Sequence, residues 1–254
     1  MQIEKGGKEG KMAKLKIYPL PLMKLKSPRG ILTYLVNMGD AAETYASIWY
    51  IEGAKERILI DAGGSAETMV RRGHSAEHIA SPADALKRVG FTPDEINIII
   101  CTHLHNDHME LGHLYKNAKF IIQKKELEAN FNPHPLEAPR CVPKNLLERL
   151  DFQVVDGDAK IVEGVRVLFT PGHTRGGQSV LVDTAKGKVI VSGLCTTRDN
   201  FEPPEPIRKL MPVIPPGIHL DAREAFDSLM RIKQQADIVV PLHDPEFALQ
   251  SHIP

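Results

Sequence analysis

The sequence predicts an α/β fold in which β-sheets are sandwiched between helices. Short runs rich in β-branched residues recur along the chain, and stretches with helical spacing separate some of them. Strand-rich blocks with helices between and after them are typical of layered folds of this class. The length of 254 residues suits one compact unit with a sizeable core.

The predicted strands share an enrichment in valine, isoleucine and aromatic residues. They are Ile31–Leu35, Tyr45–Ile51, Arg57–Ile60, Ile96–Cys101, Lys119–Gln123, Phe152–Val155, Val165–Phe169, Ser179–Val182, Val189–Val191 and Ile238–Val240.

Two helices are predicted from their capping residues. Ser81 is a good N-cap, Pro82 suits the first helical position, and Gly90 marks the end of that helix. Asp221 caps the stretch Ala222–Gln235 in the same way. One face of that stretch is apolar and is expected in the core: Ala222, Ala225, Phe226, Leu229 and Met230.

Two proline-rich stretches, residues 132–139 and 202–206, are predicted as long loops. Loops of this kind form lids, specificity surfaces or interfaces, or they are plain connections. Apolar residues in 131–139 and 201–216, and Ile218 beyond them, can build a pocket for an acyl chain or ring. They can equally form a homodimer interface.

Charge and cysteine content narrow the possible partners and the cellular setting. Basic and acidic residues number 32 each, so no net field attracts nucleic acid or an anionic membrane. Residues 1–18 are interpreted as a basic N-terminal tail and residues 19–254 as a single domain, with no apolar span for a membrane. Three scattered cysteines favour a reducing, cytoplasmic setting.

Four metal-ligand side chains lie within six residues, directly after the apolar run 98–100: His103, His105, Asp107 and His108. Imidazole and carboxylate groups are good ligands of divalent metals. Residues spaced i, i+2 in an extended segment point to the same side, so His103 and His105 can bind one ion. Asp107 and His108 open a helical turn that can face a second ion, as two-metal hydrolases require.

Further candidate ligands follow predicted strands downstream: His173, Cys195 and His243. A metal site along one edge of a sheet needs ligands that follow the ends of separate strands. Asp61 ends the run 57–61, before two glycines, and can accept the second N–H of a metal-bound imidazole.

The remaining histidines carry weaker signals. Those at positions 74, 78, 134 and 252 are interpreted as surface or loop residues, whereas His113 and His219 are left open as possible pocket residues.

With these motifs the chain resembles the metallo-β-lactamase superfamily, whose His-x-His-x-Asp-His motif is met at residues 103–108. Within it, the N-acyl homoserine lactonase group is most similar, through residues 86–94 and 199–202 and the order of blocks. The resemblance implies an αββα sandwich of two mixed β-sheets flanked by helices. It also implies two ions, the first bound by His103, His105 and His173, the second by Asp107, His108 and His243.

The chain departs from the lactonase pattern after the strand 189–191. An ungapped match puts Gly193 where lactonases carry a metal-bridging aspartate, and Thr196 where they carry a tyrosine that assists ring opening. Cys195 can fill part of the gap, because a thiolate is an excellent zinc ligand. It can also be a small buried apolar residue.

The expected function is that of a metal-dependent hydrolase of a small molecule. Two zinc ions, or manganese or iron, would supply a metal-bound hydroxide that opens a lactone or cleaves a related ester or acyl bond. Asp107 would orient the nucleophile and carry the proton to the leaving group. The alternatives are a single-domain iron-dependent dioxygenase on the same ligands, and a hydrolase of amides or β-lactams.

Overall fold

Two mixed β-sheets lie face to face in the computed structural model, which describes residues 15–254. The first sheet has seven strands in the order β4-β1-β2-β3-β5-β6-β7. Their bounds are β1 Lys16–Pro28, β2 Ala41–Glu52, β3 Ile58–Ile60, β4 Ser75–His78, β5 Ile98–Ile100, β6 Lys119–Gln123 and β7 Asp151–Val155. The strands from β4 to β3 pair antiparallel, and those from β3 to β7 pair parallel.

The second sheet has five strands in the order β12-β11-β10-β9-β8. Their bounds are β8 Ala159–Val162, β9 Val165–Phe169, β10 Gln178–Thr184, β11 Gly187–Val191 and β12 Ile238–Val240. Only the pair of β11 with β12 is parallel. Both sheets are therefore mixed, as expected.

Strand alternation divides the core into layers. Ile58 and Ile60 pack in the cluster between the sheets, whereas Leu59 packs on the outer face of the first sheet. In the second sheet, Val180 and Val182 face inward in the same way. Burial on both faces explains why β3 and β5 are continuous apolar runs.

Helices cover the outer faces of the two sheets. The helices are α1 Ala66–Arg71, α2 Pro82–Lys87, α3 Asn106–Met109, α4 Lys124–Phe131, α5 Lys144–Leu147, α6 Arg198–Phe201, α7 Glu205–Arg208, α8 Ala222–Gln235 and α9 Pro245–Ala248. Residues of α2 and α5 pack on the first sheet, and α8 packs on the second. The αββα sandwich implied by the resemblance is confirmed.

The two predicted helices have the expected N-caps, although α2 ends at Lys87, before the predicted end at Gly90. The side chain of Ser81 accepts a hydrogen bond from the backbone N–H of Asp84, and that of Asp221 accepts two at the start of α8. The predicted bounds of α8 are those observed. Within residues 15–254, no helix is both long and apolar enough to cross a bilayer.

The first strand lies partly where a basic tail was predicted. Residues 16–18 belong to β1, so a tail over residues 1–18 is too long at its C-terminal end, and its first 14 residues lie outside the described part. β1 contains prolines at positions 19 and 21, which cannot donate backbone hydrogen bonds. They lie where β1 pairs with β2 alone, because the pairing with β4 begins at Met23.

The strand predicted over Ile31–Leu35 is wrong. A 3₁₀ helix at Arg29–Ile31 and turns occupy this segment, because the chain must reverse between β1 and β2, whose ends Pro28 and Ala41 pair. Leu35 and Asn37 adopt positive φ angles in that turn. Ile31 and Leu32 line a cavity instead of a sheet.

The strand ends gather the chemistry-bearing residues at one edge of the sandwich. In the first sheet, β3 and β5 are parallel neighbours, and they end just before Asp61 and Cys101 respectively. In the second sheet, β9, β11 and β12 run in the same direction and end before the loops to His173, Cys195 and His243. Parallel strands present their carboxyl ends at a common edge, as in other α/β sheets.

Candidate metal centre

The segment 103–108 changes from extended chain to helix between its ligands. His105 has extended backbone angles and precedes α3, and its carbonyl accepts hydrogen bonds from the N–H groups of His108 and Met109. The helix begins at Asn106, two residues before the predicted start at His108. This turn separates His103 and His105 from Asp107 and His108, as two distinct ligand groups require.

The loop after β3 packs directly against α3. A Cβ atom on Gly64 would lie 2.2 Å from the carbonyl oxygen of Asn106, so only glycine fits there. Asp61 begins the loop with a φ of 61°, in the left-handed region that aspartate tolerates better than most residues. The close approach brings the Asp61 carboxylate next to the α3 segment.

His103, His105 and His173 form the first candidate ligand group, with ring nitrogens within 4.8 Å of one another. The Nε2 atoms of His103 and His173 are 3.3 Å apart. Two nitrogens bound tetrahedrally to one zinc at about 2.1 Å lie about 3.4 Å apart, so this spacing fits a shared ion.

Hydrogen bonds fix the tautomers in this group. The carbonyl of Ile218 can only accept, so Nδ1 of His173 donates to it over 2.6 Å. The Thr102 hydroxyl donates to Asp61, which leaves its oxygen to accept from Nδ1 of His103. Both Nε2 atoms therefore present lone pairs to each other, an arrangement that a cation between them satisfies.

Burial keeps the three rings of the first group neutral. Burial, together with the neighbouring imidazoles, lowers the pKa of His103 and His105 well below the ordinary value of 6.5. The pKa of His173 falls to about 4, chiefly because of burial. Neutral imidazole is the form that binds a metal.

Asp107, His108 and His243 form the second ligand group. Oδ2 of Asp107 lies 3.2 Å from Nε2 of His108 and 3.9 Å from Nε2 of His243, and the two Nε2 atoms are 3.3 Å apart. Nδ1 of His243 donates to the carbonyl of Tyr45. Nδ1 of His108 donates to Asp61. As in the first group, the Nε2 atoms converge on one point.

The second group is the more negative of the two. Burial opposes charge on His108, but the carboxylates of Asp107 and Asp61 outweigh it and raise its pKa to about 10. The pKa of Asp107 lies well below its ordinary value, because the histidines overcome the effect of burial. Burial lowers the pKa of His243 to about 4. Two carboxylates facing one histidine favour any cation there, a proton or a metal.

Glu126 ties the two loops of the first group together, a role that the sequence did not indicate. Its buried carboxylate accepts hydrogen bonds from the backbone N–H of Leu104 and of Gly176. These residues follow His103 and His173. A single buried glutamate in a charged helix gives no pattern that distinguishes it from a surface residue.

The loop after β11 explains how the chain differs here from the lactonase pattern. A Cβ atom on Gly193 would lie 1.8 Å from the carbonyl oxygen of Gln178, so no side chain fits at this position. Thr196 is buried, and its hydroxyl is within hydrogen-bond distance of the Ser192 hydroxyl, the Leu194 carbonyl and the Leu242 N–H. Cys195 is the residue of this loop that lines the cavity of the histidines, although its thiol is in neither ligand group.

A cavity of about 390 Å³ opens over both ligand groups. Leu136 and Pro139 of the first proline-rich loop line it, as does Ile218. In the second proline-rich region, Val213 and Ile214 are buried instead, and Val213 packs in the core cluster that contains α8. The first loop and Ile218 therefore form only part of the apolar wall, which also includes Leu25, Ile31, Leu32 and Met69.

The cavity also contains residues that sequence reasoning misplaced or missed. His74, predicted at the surface, lines it, because the turn after α1 folds back over the metal centre. Arg72 and Arg140 line it too. Of the two histidines left open, His113 is exposed, and His219 lines a smaller neighbouring pocket beside His105 and His173.

Several curated relatives of the chain are bacterial lactonases. It is 32% identical over 151 residues to the N-acyl homoserine lactonase AiiA of Bacillus thuringiensis subsp. kurstaki, covering 59% of this chain and 54% of that protein. It is 33% identical over 152 residues to an N-acyl homoserine lactonase of Bacillus cereus, with the same coverage. The chain thus spans about half the length of these relatives.

Solved structures match over nearly the whole chain. A variant of the B. thuringiensis lactonase AiiA, with N-decanoyl-L-homoserine bound at its active site, superposes with a TM-score of 0.76 at 25% identity, covering 92% of this chain and 95% of that one. An N-acyl homoserine lactone hydrolase with N-hexanoyl-L-homoserine bound at its catalytic metal centre gives 0.73 at 25% identity, covering 92% and 94%.

The family follows from the sequence profile together with the fold. Residues 42–243 match the metallo-beta-lactamase superfamily, a range that begins in β2 and ends at the last histidine of the second ligand group. The chain belongs to the metallo-beta-lactamase superfamily.

Proposed function

We propose that this chain is a metal-dependent hydrolase that opens a lactone or cleaves a related ester or acyl bond. The observation that carries the proposal is the convergence of two ligand groups, each with two Nε2 atoms 3.3 Å apart, at one cavity. The similarity to N-acyl homoserine lactonases supports the same reaction class.

The proposed cofactor is a pair of zinc ions, with manganese or iron as substitutes. His103, His105 and His173 would hold the first ion, and Asp107, His108 and His243 the second, with Asp61 fixing the ring of His108. Zinc bound there would lower the pKa of a water molecule to near neutrality and polarise the substrate carbonyl. Buried histidines and carboxylates match the ligand preference of zinc.

Asp107 is the proposed catalytic residue. Its low pKa keeps it ionised, and its side chain is 16% exposed, at the floor of the cavity. An ionised carboxylate in this position accepts a hydrogen bond from the attacking water and so orients it. The same carboxylate can carry the proton to the leaving oxygen. Thr196, which stands where lactonases carry a tyrosine, has no phenol to do so.

Cys195 is proposed as an additional metal ligand, because it lines the cavity where Gly193 offers no side chain. Burial raises the pKa of its thiol to about 12, so a bound cation would have to stabilise the thiolate. Loading with cobalt tests this role directly. A thiolate-to-cobalt charge-transfer absorption that disappears in Cys195→Ser supports ligation, and its absence from the parent protein contradicts it.

The cavity volume sets the size of the substrate that we propose. About 390 Å³ accommodates a small molecule of lactone size with a short acyl chain against Leu136, Pro139 and Ile218. We also propose that residues 16–254, from the start of β1, act as one domain, in the cytoplasm and as a homodimer. The balanced charge and the unpaired cysteines support a cytoplasmic small-molecule enzyme over a nucleic-acid or membrane protein.

A hydrolysis screen tests the proposal. Zinc, manganese and iron forms would be assayed with N-acyl homoserine lactones, aryl esters, thioesters and a β-lactam, with His105→Ala as the matched inactive variant. We expect lactone or ester hydrolysis that His105→Ala abolishes. Stoichiometric iron with oxygen consumption would instead establish the dioxygenase alternative, and hydrolysis of the β-lactam alone would establish the amide alternative.

A further inference from the structure

Two arginines on the wall of the cavity have no acidic partner in the described part of the chain. Arg72 and Arg140 line the cavity together with the two ligand groups, and Asp107 is the only carboxylate of that part that lines it. Among residues 15–254, no carboxylate oxygen lies within 4.0 Å of either guanidinium. The arginines that do form ion pairs there are Arg29, Arg57, Arg198 and Arg231.

The backbone holds both arginines in defined places. Arg72 is the C-cap residue of α1, and its N–H donates to the carbonyl of Met69. The carbonyl of Arg140 accepts from the N–H of Asn106, which ties the end of the proline-rich loop to the start of α3. Arg140 is therefore tied to the helix that carries Asp107 and His108, and Arg72 ends the helix that follows the Asp61 loop.

Most of the guanidinium hydrogen-bonding capacity is unused. One nitrogen of Arg72 contacts the sulfur of Met69 at 3.8 Å, and one of Arg140 contacts the carbonyl of Leu136 at 3.4 Å. Each guanidinium carries five N–H donors, so several on each side chain have no partner within the described chain.

The two positive charges act on each other. Burial lowers the pKa of Arg72, the charge of Arg140 lowers it further, and the charge of Asp107 opposes both. Burial and the same two arginines also lower the pKa of His74, which lines the cavity beside them. Asp107 is a proposed metal ligand and is not free to neutralise them. Like charges held together beside a cavity are costly unless an anion joins them.

We propose that Arg72 and Arg140 bind an oxyanion on the substrate, a carboxylate or a phosphate, while the acyl bond lies at the metal centre. This inference rests on the proposed hydrolase function and specifies its substrate class. The planar guanidinium fork matches the geometry of both oxyanions and can bind each of them bidentately. Leu136 and Pro139 would contact the apolar part of the substrate between the two ends.

Matched esters test the inference with the zinc-loaded enzyme. The three substrates are 4-nitrophenyl butanoate, 4-nitrophenyl hydrogen succinate and the 4-nitrophenyl ester of 3-phosphonopropanoate, which share an acyl length and differ in terminal charge. A charge-assisted bidentate contact predicts a kcat/KM at least about tenfold higher for one anionic ester. The preferred anion distinguishes carboxylate from phosphate. Equal rates, or a preference for the neutral ester, would overturn the inference.

Variants assign the preference to the two side chains. Arg72→Met and Arg140→Met should reduce the ratio of anionic to neutral kcat/KM towards one, and lysine at either position should retain part of it, because lysine keeps the charge but not the fork. Arg71→Met, at an exposed neighbour outside the cavity, is the matched control and should keep the ratio. A ratio unchanged in both cavity variants would exclude these arginines.

Binding measured without turnover separates this inference from the hydrolase proposal. Calorimetry with the zinc-loaded protein compares glutarate, which has two carboxylates, with butanoate, which has one. We expect glutarate to bind at least about tenfold more tightly, and the difference to disappear in the double variant Arg72→Met, Arg140→Met. If no ester is hydrolysed but this difference is found, the hydrolase proposal fails and the anion subsite stands. Equal affinities would overturn the subsite.

Discussion

Nδ1 of His108 donates a hydrogen bond to Oδ2 of Asp61 over 2.9 Å, and both side chains are fully buried. The other carboxylate oxygen accepts from the backbone N–H of Thr102, next to His103. One aspartate at the end of β3 therefore orients a histidine of the second ligand group and holds the segment that carries the first.

Replacing Asp61 with asparagine should weaken metal binding. Asparagine tolerates the left-handed backbone at this position but removes the charge that fixes the His108 ring. We expect zinc affinity to fall by about 10- to 100-fold, measured by competition with a chelator. Asp94→Asn, at an exposed carboxylate, is the control. Equal zinc affinity in both variants would contradict the role of Asp61.

Glu126→Leu should destabilise the fold and loosen the first ligand group. The substitution leaves the buried N–H groups of Leu104 and Gly176 without an acceptor, which costs about 1–3 kcal/mol for each group. Urea denaturation at neutral pH would measure the loss. Glu128→Leu, at an exposed position of α4, should change stability by less than about 0.5 kcal/mol. Similar losses of unfolding free energy in the two variants would show that Glu126 does not hold the two loops together.

The titration of Glu126 should make the free energy of unfolding depend on pH. Burial raises its pKa above the ordinary value of 4.5, despite the hydrogen bonds that it accepts. Between 4.5 and the raised value the folded state binds more protons than the unfolded state, so stability falls as pH rises through that window. Glu126→Gln should lack this fall. A wild-type profile that rises through the window relative to Glu126→Gln would contradict the prediction.

Gly193→Ala should be strongly destabilising, because the new Cβ would meet the carbonyl of Gln178 at 1.8 Å and backbone cannot easily move away. We expect a loss of about 3 kcal/mol of unfolding free energy in urea. Gly157→Ala is the control with open space around the glycine, although its positive φ adds some strain. If Gly193→Ala is no less stable than the control, the loop after β11 differs from the one described.

Cys195→Asp should increase lactone hydrolysis. It restores a carboxylate to the loop after β11 at the residue that lines the cavity, which Gly193 cannot do. A carboxylate can bridge two ions, which a terminal thiolate does not, so it would hold the metal pair more firmly. The measurement is kcat/KM with N-hexanoyl homoserine lactone, with Cys195→Asn as the uncharged control of similar size. A loss of activity in both variants would contradict the prediction and show that the thiol itself is needed.

The sequence predicted the metal-binding segment because its ligands are adjacent in the chain. Three histidines and an aspartate within residues 103–108 are typical of metal binding and of little else, and His173 and His243 each follow a recognisable strand. Strands such as β6 and β9 were predicted with their observed bounds, since buried strands have a strong composition signal.

What the sequence did not reveal depends on contacts between distant segments. The prolines of β1 are acceptable only because that part of the strand has a single neighbour. Arg72 and His74 reach the cavity through a turn after α1, and Arg140 through a backbone bond to Asn106. Single arginines in polar loops have no sequence pattern that separates a binding residue from a solvated one.

The proposed hydrolysis depends most on two metal ions acting at the paired ligand groups. Zinc would be titrated into metal-free protein while hydrolysis of N-hexanoyl homoserine lactone is followed. We expect negligible activity without zinc and a rise that levels off at two equivalents per chain, in keeping with the two groups of three ligands. Activity that persists in the chelated protein, or that is complete at one equivalent, would contradict a two-metal mechanism.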